Sequence, residues 1–105
     1  MPHAALTVLQ SAGGAALQGS VPVAAFPFVM GRTEGAFVVV DPNVSRKHAQ
    51  ITYDDVSNAF YLTDLNSANG TRLNHQRLTP GQPVHLTNGA VIGLGPNVTL
   101  RFDLS

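Results

Sequence analysis

The chain has 105 residues, a formal net charge of zero and no cysteine. Its hydrophobic residues, 44% of the total, can build the core of one domain over residues 1–105, and this hydrophobicity with zero net charge argues against a disordered chain. The lack of a basic excess disfavours a nucleic-acid-binding protein, and the lack of cysteine excludes disulfides, thiolate metal sites and cysteine nucleophiles.

The N-terminal stretch MPHAALTVLQ lacks the basic region followed by a long apolar region that marks a signal peptide. No apolar run in the sequence is long enough to span a bilayer as a helix. Small secreted domains often carry disulfides, so the absence of cysteine favours a reducing compartment. The sequence therefore predicts a cytoplasmic protein with no membrane partner.

Apolar and polar residues alternate along much of the chain, which is typical of strands with one buried face. Candidate strands lie at Ala5–Leu9, Phe26–Met30, Phe37–Val40, Ala49–Tyr53, Phe60–Thr63, Pro83–Leu86, Ala90–Ile92 and Val98–Leu104. Among these, Phe37–Val40 is a run rich in β-branched residues, and it is predicted to be buried on both faces.

Turn residues separate the candidate strands. They lie at Ser11–Gly14, Asp54–Asn58, Thr79–Pro83 and Asn88–Gly89. Because both residues of an Asn-Gly pair can adopt positive φ, Asn88–Gly89 predicts a type I′ hairpin. Many short strands with frequent turns predict an all-β sandwich or barrel.

Three polar segments fall outside the alternating pattern, at strand ends or in loops: Gly31–Arg32, Ser45–His48 and Asn66–Thr71. The loops at one end of a sandwich converge, and such loops often carry binding residues. The three segments together offer guanidinium, hydroxyl, amide and backbone N–H donors and contain no carboxylate. A compact pocket of this kind suits a single phosphate group.

These segments resemble the motifs of the forkhead-associated (FHA) domain family. Gly-Arg, Ser-Arg-x-His-Ala and Asp-Leu-x-Ser-x-Asn-Gly-Thr occur in that order at Gly31–Arg32, Ser45–Ala49 and Asp64–Thr71, and Asn74 follows. The resemblance covers about residues 6–104. It implies an antiparallel β-sandwich of about eleven short strands that binds phosphothreonine peptides through loops at one end and uses neither a cofactor nor a metal.

The resemblance also implies roles for individual residues. Arg32 and Ser45 match phosphate-binding positions, Arg46 matches a position that contacts phosphate or peptide backbone, and Asn69 matches the asparagine that binds the peptide main chain. Supporting positions are Gly31, His48 and Gly70, and possible rim positions are Lys47, Ser67 and Ala68. Neighbouring side chains of an extended segment point to opposite sides, so Arg46 is expected to face the pocket and Lys47 the rim.

The sequence departs from the family pattern at two positions. Ala68 stands where the family often has threonine, so one phosphate hydrogen bond is lost unless Ser67, Arg46 or Lys47 supplies it. His75 stands where glycine often follows the second asparagine, so the turn there is expected to differ.

The functional hypothesis is a non-catalytic signalling module whose partner is a phosphothreonine protein, a substrate of a Ser/Thr kinase. Such a module is expected to be a monomer or a weak dimer. The alternative, favoured by Ala68, is a scaffold for phosphate-independent association or dimerisation. A catalytic triad of Asp41, Ser45 and His48 is disfavoured because triad members come from separate chain segments.

Overall fold

The computed structural model describes residues 3–11 and 19–105, and these residues form a sandwich of two β-sheets. The strands are β1 Ala4–Ser11, β2 Ser20–Val23, β3 Phe28–Gly31, β4 Phe37–Val38, β5 Ala49–Asp54, β6 Ala59–Asp64, β7 Thr71–Leu73, β8 Gln76–Arg77, β9 Val84–Leu86, β10 Val91–Leu94 and β11 Val98–Leu104. The predicted all-β sandwich of about eleven strands is therefore confirmed. Within the same ranges no helix is long and apolar enough to cross a membrane.

One sheet has six strands in the order β2-β1-β11-β10-β7-β8, and the other has five in the order β4-β3-β5-β6-β9. Every described strand pair is antiparallel except β3 with β4, which is parallel. The first and last strands are neighbours, and the backbones of His3 and Ser105 donate hydrogen bonds to each other at 3.1 and 2.9 Å. The two ends of the described chain therefore lie side by side.

The core forms where the alternating residues of the two sheets face each other. In β11, Val98, Leu100 and Phe102 are fully buried, as the alternating pattern predicted. The Phe60 ring of β6 packs edge-on against Phe102, with ring centroids 5.3 Å apart. Because the two rings belong to different sheets, this pair joins the layers at the centre of the core.

The structure corrects the prediction for Phe37–Val40. Only Phe37–Val38 forms a strand, and it lies at the edge of the five-stranded sheet. Val38 is 43% exposed and Val40 is 68% exposed, so the segment is not buried on both faces. A β-branched run favours extended backbone, but it does not determine whether the strand is central or at an edge.

The hairpin predicted at Asn88–Gly89 is also wrong. Strands β9 and β10 belong to different sheets, and the turn carries the chain from one sheet to the other. Only Gly89 of the pair has a positive φ, +84°, and the Ala90 N–H donates to the Thr87 carbonyl at 3.1 Å. This geometry is that of a type II turn, which also accepts Asn-Gly.

Two of the other three predicted turns are confirmed. The loop at Asp54–Asn58 joins the antiparallel strands β5 and β6, as predicted. The turn at Thr79–Pro83 is present, with Gly81 at φ +80° and a hydrogen bond from Gln82 N–H to the Thr79 carbonyl. Most of the turn predicted at Ser11–Gly14 lies outside the described residues.

Strand register brings the polar segments together. Met30 of β3 is opposite Ala49 of β5, and Ala49 is opposite Asp64 of β6. The chain leaves β3, enters β5 and leaves β6 at this level of the sheet. The predicted convergence of loops at one end of the sandwich follows directly from this register.

Candidate functional site

An open depression of about 360 Å³ lies at the end of the sandwich where these loops meet. It is lined by Glu34, Ser45, Arg46 and Lys47. The hydroxyl and the two cationic groups belong to segments that the sequence analysis identified. Glu34 does not, because it lies in the loop after the Gly-Arg pair, outside the three polar segments.

Arg32 is held beside the segment that leads to Ser45. Its backbone N–H donates to the Ser45 carbonyl at 2.9 Å, and its Nε–H donates to the Val44 carbonyl at 3.0 Å. The two terminal amino groups of the guanidinium make no hydrogen bond to another described residue, and Arg32 is exposed. They are therefore free to donate to an anion beside this segment.

Ser45 joins its own loop to the loop that contains Ala68. The Ser45 hydroxyl oxygen accepts a hydrogen bond from the Ala68 N–H at 3.0 Å. Because a hydroxyl can accept and donate at once, its proton is still available to a ligand in the depression. The resemblance implied a phosphate contact at Ser45, and the hydrogen bond to Ala68 fixes the hydroxyl for such a contact.

His48 is fully buried and connects the same two loops from within. Its Nδ1 accepts a hydrogen bond from the Ser45 N–H at 3.1 Å, so the proton of the neutral ring is on Nε2, which donates to the Gly70 carbonyl at 2.8 Å. Burial lowers the pKa of His48 below its ordinary value near 6.5, although the bond to Gly70 and the charge of Asp64 oppose this shift. A neutral histidine with both ring nitrogens in use is the structural group that the resemblance implied.

Asp64 organises the loop that carries Asn69, a role that the sequence analysis did not assign. Its buried carboxylate accepts hydrogen bonds from the Ser67 N–H at 3.1 Å, the Ser67 hydroxyl at 2.5 Å and the Thr71 hydroxyl at 2.6 Å. The Ser67 oxygen in turn accepts from the Gly70 N–H at 3.0 Å. Aspartate side chains often accept hydrogen bonds from nearby backbone N–H groups in turns, so the position of Asp64 just before the polar loop was the signal available in the sequence.

The Ser67 contacts exclude one of the substitutes considered for the missing threonine hydroxyl. Ser67 donates its only hydroxyl proton to Asp64, inside the loop. It therefore has no proton left for a phosphate in the depression. Ser67 supports the loop from within, so Arg46 and Lys47 are the two substitutes that remain.

Arg46 and Lys47 both line the depression, whereas only Arg46 was expected to face it. The alternation rule applies to an extended strand. Here the backbone bends at residues 46 and 47 before β5 begins at Ala49. The bend brings both cationic side chains to the same side.

Asn69 and Gly70 follow Ala68, whose N–H donates to the Ser45 hydroxyl. The Asn69 Nδ2 donates to the Asn43 carbonyl at 2.9 Å, which orients the exposed amide. Gly70 has φ +85°, and a Cβ atom there would lie 2.7 Å from the Arg77 guanidinium. A side chain at position 70 would therefore be strained as well as crowded.

Gly31 is required for a different reason. A Cβ atom at this position would lie 1.9 Å from the Arg46 carbonyl oxygen, a distance that no backbone adjustment of a few tenths of an ångström could relieve. The absence of a side chain lets the loop after β3 approach the segment before β5. This close approach is the structural basis of the Gly-Arg motif in this chain.

The geometry does not support a triad. His48 Nδ1 contacts the backbone N–H of Ser45, while the Ser45 hydroxyl contacts Ala68. Asp41 accepts a hydrogen bond from the Asn43 N–H at 2.8 Å and so stabilises its own loop. In residues 3–11 and 19–105, no group of three or more His, Asp or Glu side chains is placed to hold a metal ion.

A family model for the FHA domain matches residues 28–95, a segment that contains all the candidate site residues. The chain belongs to the FHA domain family. Across 99% of its length the fold superimposes with a TM-score of 0.86 on 94% of the kinase-interacting FHA domain of the Arabidopsis kinase-associated protein phosphatase, at 26% identity. It also matches the MEK1 FHA domain in complex with a phosphothreonine peptide of HOP1, at TM-score 0.77 and 27% identity over 97% of this chain and 96% of that one.

Curated relatives of this FHA domain are much longer proteins. It is 43% identical over 56 residues to a probable E3 ubiquitin-protein ligase, dma1, of Schizosaccharomyces pombe, a match that covers 50% of this chain and 20% of the ligase. It is 41% identical over 68 residues to the FHA domain-containing protein FhaA of Mycobacterium tuberculosis, covering 64% of this chain and 12% of that protein. The chain thus spans a fifth or less of the length of these relatives.

Proposed function

We propose that this FHA domain binds phosphothreonine peptides and has no catalytic activity of its own. The observation that carries the proposal is a pair of donors, on two neighbouring loops, that hydrogen bonds hold in place. The Arg32 guanidinium is anchored to the Val44 carbonyl, and the Ser45 hydroxyl is anchored by Ala68. Both donors are therefore held in place before a ligand binds, which lowers the entropic cost of binding.

The charges are suited to a phosphate monoester. A phosphothreonine carries about −1.5 to −2 charges at neutral pH. Each charge-assisted hydrogen bond contributes about 1.5–3 kcal/mol net, so three or four contribute on the order of 5–10 kcal/mol. After the cost of ordering a flexible peptide, a dissociation constant on the order of micromolar results, which suits reversible signalling.

Asn69 extends recognition from the phosphate to the peptide chain. One amide N–H is already used on Asn43, which leaves its carbonyl oxygen and second N–H for a peptide backbone. Selection of threonine over serine depends on the extra methyl group, whose burial contributes about 0.8 kcal/mol. Loss of the threonine hydroxyl at Ala68 is offset by the two cationic side chains that line the depression.

The partner is a phosphothreonine protein produced by a Ser/Thr kinase, and the setting is cytoplasmic signalling. The peptide complex of the MEK1 FHA domain supports this partner class, since the two chains match over nearly their whole length. The absence of a nucleophile–base pair at Ser45 and His48 supports a module that binds without turnover.

Calorimetric titration tests the proposal. A phosphothreonine peptide should bind, and its unphosphorylated twin should not. Arg32→Ala and Ser45→Ala should each weaken binding by about 1.5–3 kcal/mol, because each removes a donor to a charged group. Arg101→Ala and Ser57→Ala are matched controls, since Arg101 lies on the six-stranded sheet and Ser57 in the β5–β6 loop. Equal affinity for both peptide forms would reject the proposal.

A second candidate is phosphate-independent association through the edge of the five-stranded sheet. The exposed Val38 and Val40 favour it, because they are apolar side chains on or beside the edge strand β4. Sedimentation with and without phosphopeptide separates the two candidates. A stable dimer that phosphopeptide leaves unchanged would favour association.

A further inference from the structure

The loop after β3 brings a carboxylate to the depression that the proposed function assigns to phosphate. Glu34 is one of its four lining residues, beside Ser45, Arg46 and Lys47. The Glu34 N–H donates to the Arg46 carbonyl at 3.3 Å. The close packing of Gly31 against that same carbonyl holds the loop in this register.

Glu34 is not neutralised by the cations around it. Across residues 3–11 and 19–105, the one ion pair with charged atoms within 4.0 Å is Arg101 with Asp103, on the face of the six-stranded sheet. The carboxylate of Glu34 therefore lies beyond ion-pair distance from Arg46 and Lys47. The Glu34 side chain is exposed and can reach a ligand.

Phosphate binding would increase the influence of this carboxylate. In the empty site, the cations Arg32, Arg46 and Lys47 outweigh Glu34 and attract an anion. A bound phosphothreonine adds about −1.5 to −2 charges, which nearly neutralises the remaining positive charge. The site as a whole, Glu34 included, is then close to neutral, so its carboxylate can influence which peptide residues are accepted beside the phosphothreonine.

We propose that Glu34 makes this FHA domain select phosphothreonine peptides that carry a lysine or arginine close to the phosphothreonine, and reject those with an acidic residue there. The proposal rests on the proposed function of the same depression. It assigns Glu34 a specificity role: attraction of a cationic flank and repulsion of an anionic one. A phosphate site built only of cations would have the opposite preference.

The test is a set of phosphothreonine peptides that carry lysine or glutamate at each of the three positions before and after the phosphothreonine. Affinities are measured for the wild type, Glu34→Gln and Asp55→Asn. Both substitutions remove one exposed carboxylate. Asp55 lies in the loop at the far end of β5, about 20 Å from the site for a strand of this length.

We expect Glu34→Gln to lower the ratio of lysine-peptide to glutamate-peptide affinity by about three- to tenfold at one flanking position. Asp55→Asn should leave the ratio unchanged. Raising the salt concentration should shrink the Glu34 effect, because exposed charges are screened.

The outcomes separate this inference from the proposed function. Phosphate-dependent binding with the same ratio in wild type and Glu34→Gln would overturn the Glu34 role and leave the phosphate site standing. An equal rise in the affinity of Glu34→Gln for all phosphopeptides would also overturn it, since that result would mean that Glu34 only repels the phosphate group. Equal binding of phosphorylated and unphosphorylated peptides would instead reject the phosphate site itself.

Discussion

His48 joins the loop that carries Ser45 to the loop that carries Asn69. Its two ring nitrogens contact the Ser45 N–H and the Gly70 carbonyl, one residue from Asn69. A protonated ring would lose the first contact, because Nδ1 could no longer accept a hydrogen bond. The neutral form of this buried side chain is therefore the one that keeps both loops connected.

We expect the free energy of unfolding to fall as the pH drops below about 6.5. The pKa of His48 is lowered in the folded protein, so the unfolded chain takes up the proton at higher pH than the folded chain. The contribution of neutral His48 to the free energy of unfolding is fully present above pH 6.5. It is lost progressively as the pH falls towards the pKa of His48 in the folded protein. Urea unfolding between pH 7.5 and 5 measures this slope.

His48→Gln is the control for the pH dependence, since glutamine keeps a donor and an acceptor but does not titrate. This variant should be less stable at pH 7.5 and show a shallower decline below pH 6.5. The other histidines, His3, His75 and His85, are exposed and remain in both proteins. Identical slopes for wild type and variant would show that His48 is not the responsible group.

The sequence indicated three of the four residues that line the depression, because Ser45, Arg46 and Lys47 belong to one polar motif. It did not indicate Glu34, whose position depends on how the loop after β3 folds against Arg46. The loop-bracing role of Asp64 depends on burial, which a residue pattern does not specify. The motifs thus indicate the candidate donor residues, whereas the positions of the carboxylates Glu34 and Asp64 depend on how the loops pack.

At the scale of elements, the β7–β8 turn is unusual because two residues other than glycine adopt positive φ in it. Asn74 and His75 both have positive φ, +50° and +72°, which makes a two-residue type I′ turn. Asn74 also binds β10, because its Oδ1 accepts from the Val91 N–H at 2.9 Å. The departure at His75 therefore changes the residue in the turn without changing the turn's hydrogen bonding to the sheet.

We expect His75→Gly to raise the free energy of unfolding by about 0.5–1 kcal/mol. The left-handed conformation costs a residue with a Cβ about 1–2 kcal/mol, and the greater freedom of glycine in the unfolded chain offsets part of that gain. His75→Ala keeps the Cβ and should give no such gain. Thermal or urea unfolding compares the three proteins, and a glycine variant no more stable than the alanine variant would contradict this account of the turn.

Strand prediction was successful where alternation extends over several residues, as in β11. It missed β2, β7 and β8, which have two to four residues each and are too short to establish a period. Asn88–Gly89 shows a second limit. The dipeptide predicts positive φ, but whether its turn joins neighbours in one sheet or crosses between sheets depends on the whole topology.

For the whole molecule, the binding loops and the chain ends lie at opposite ends of the sandwich. Val98 begins β11 near Gly95, whose N–H contacts the Gly70 carbonyl, and β11 then runs away from the site to Leu104. The β5–β6 loop also lies at the far end. The protein should therefore still fold when its chain is opened at this distal end, whereas opening the chain in a site loop should disrupt the site.

A circular permutant provides the test. Ser105 is joined to the N-terminus through a short glycine linker, and the chain is opened between Val56 and Ser57, where Val56 is 93% exposed. This permutant should fold and keep its phosphopeptide affinity, because no contact of the site is cut. Opening the chain between Asn66 and Ser67 should abolish binding, since the Asp64–Ser67 contacts hold that loop. Equal loss in both permutants would contradict this separation.

The paired ends of β1 and β11 have a mechanical consequence. Force that pulls His3 and Ser105 apart acts perpendicular to β1 and β11. The hydrogen bonds between these strands would therefore break one after another, beginning at the pair nearest His3 and Ser105. If the force acted parallel to the strands instead, all the hydrogen bonds between them would have to break simultaneously. Under tension the domain would therefore peel open at low force, starting from the pole farthest from Arg32 and Ser45.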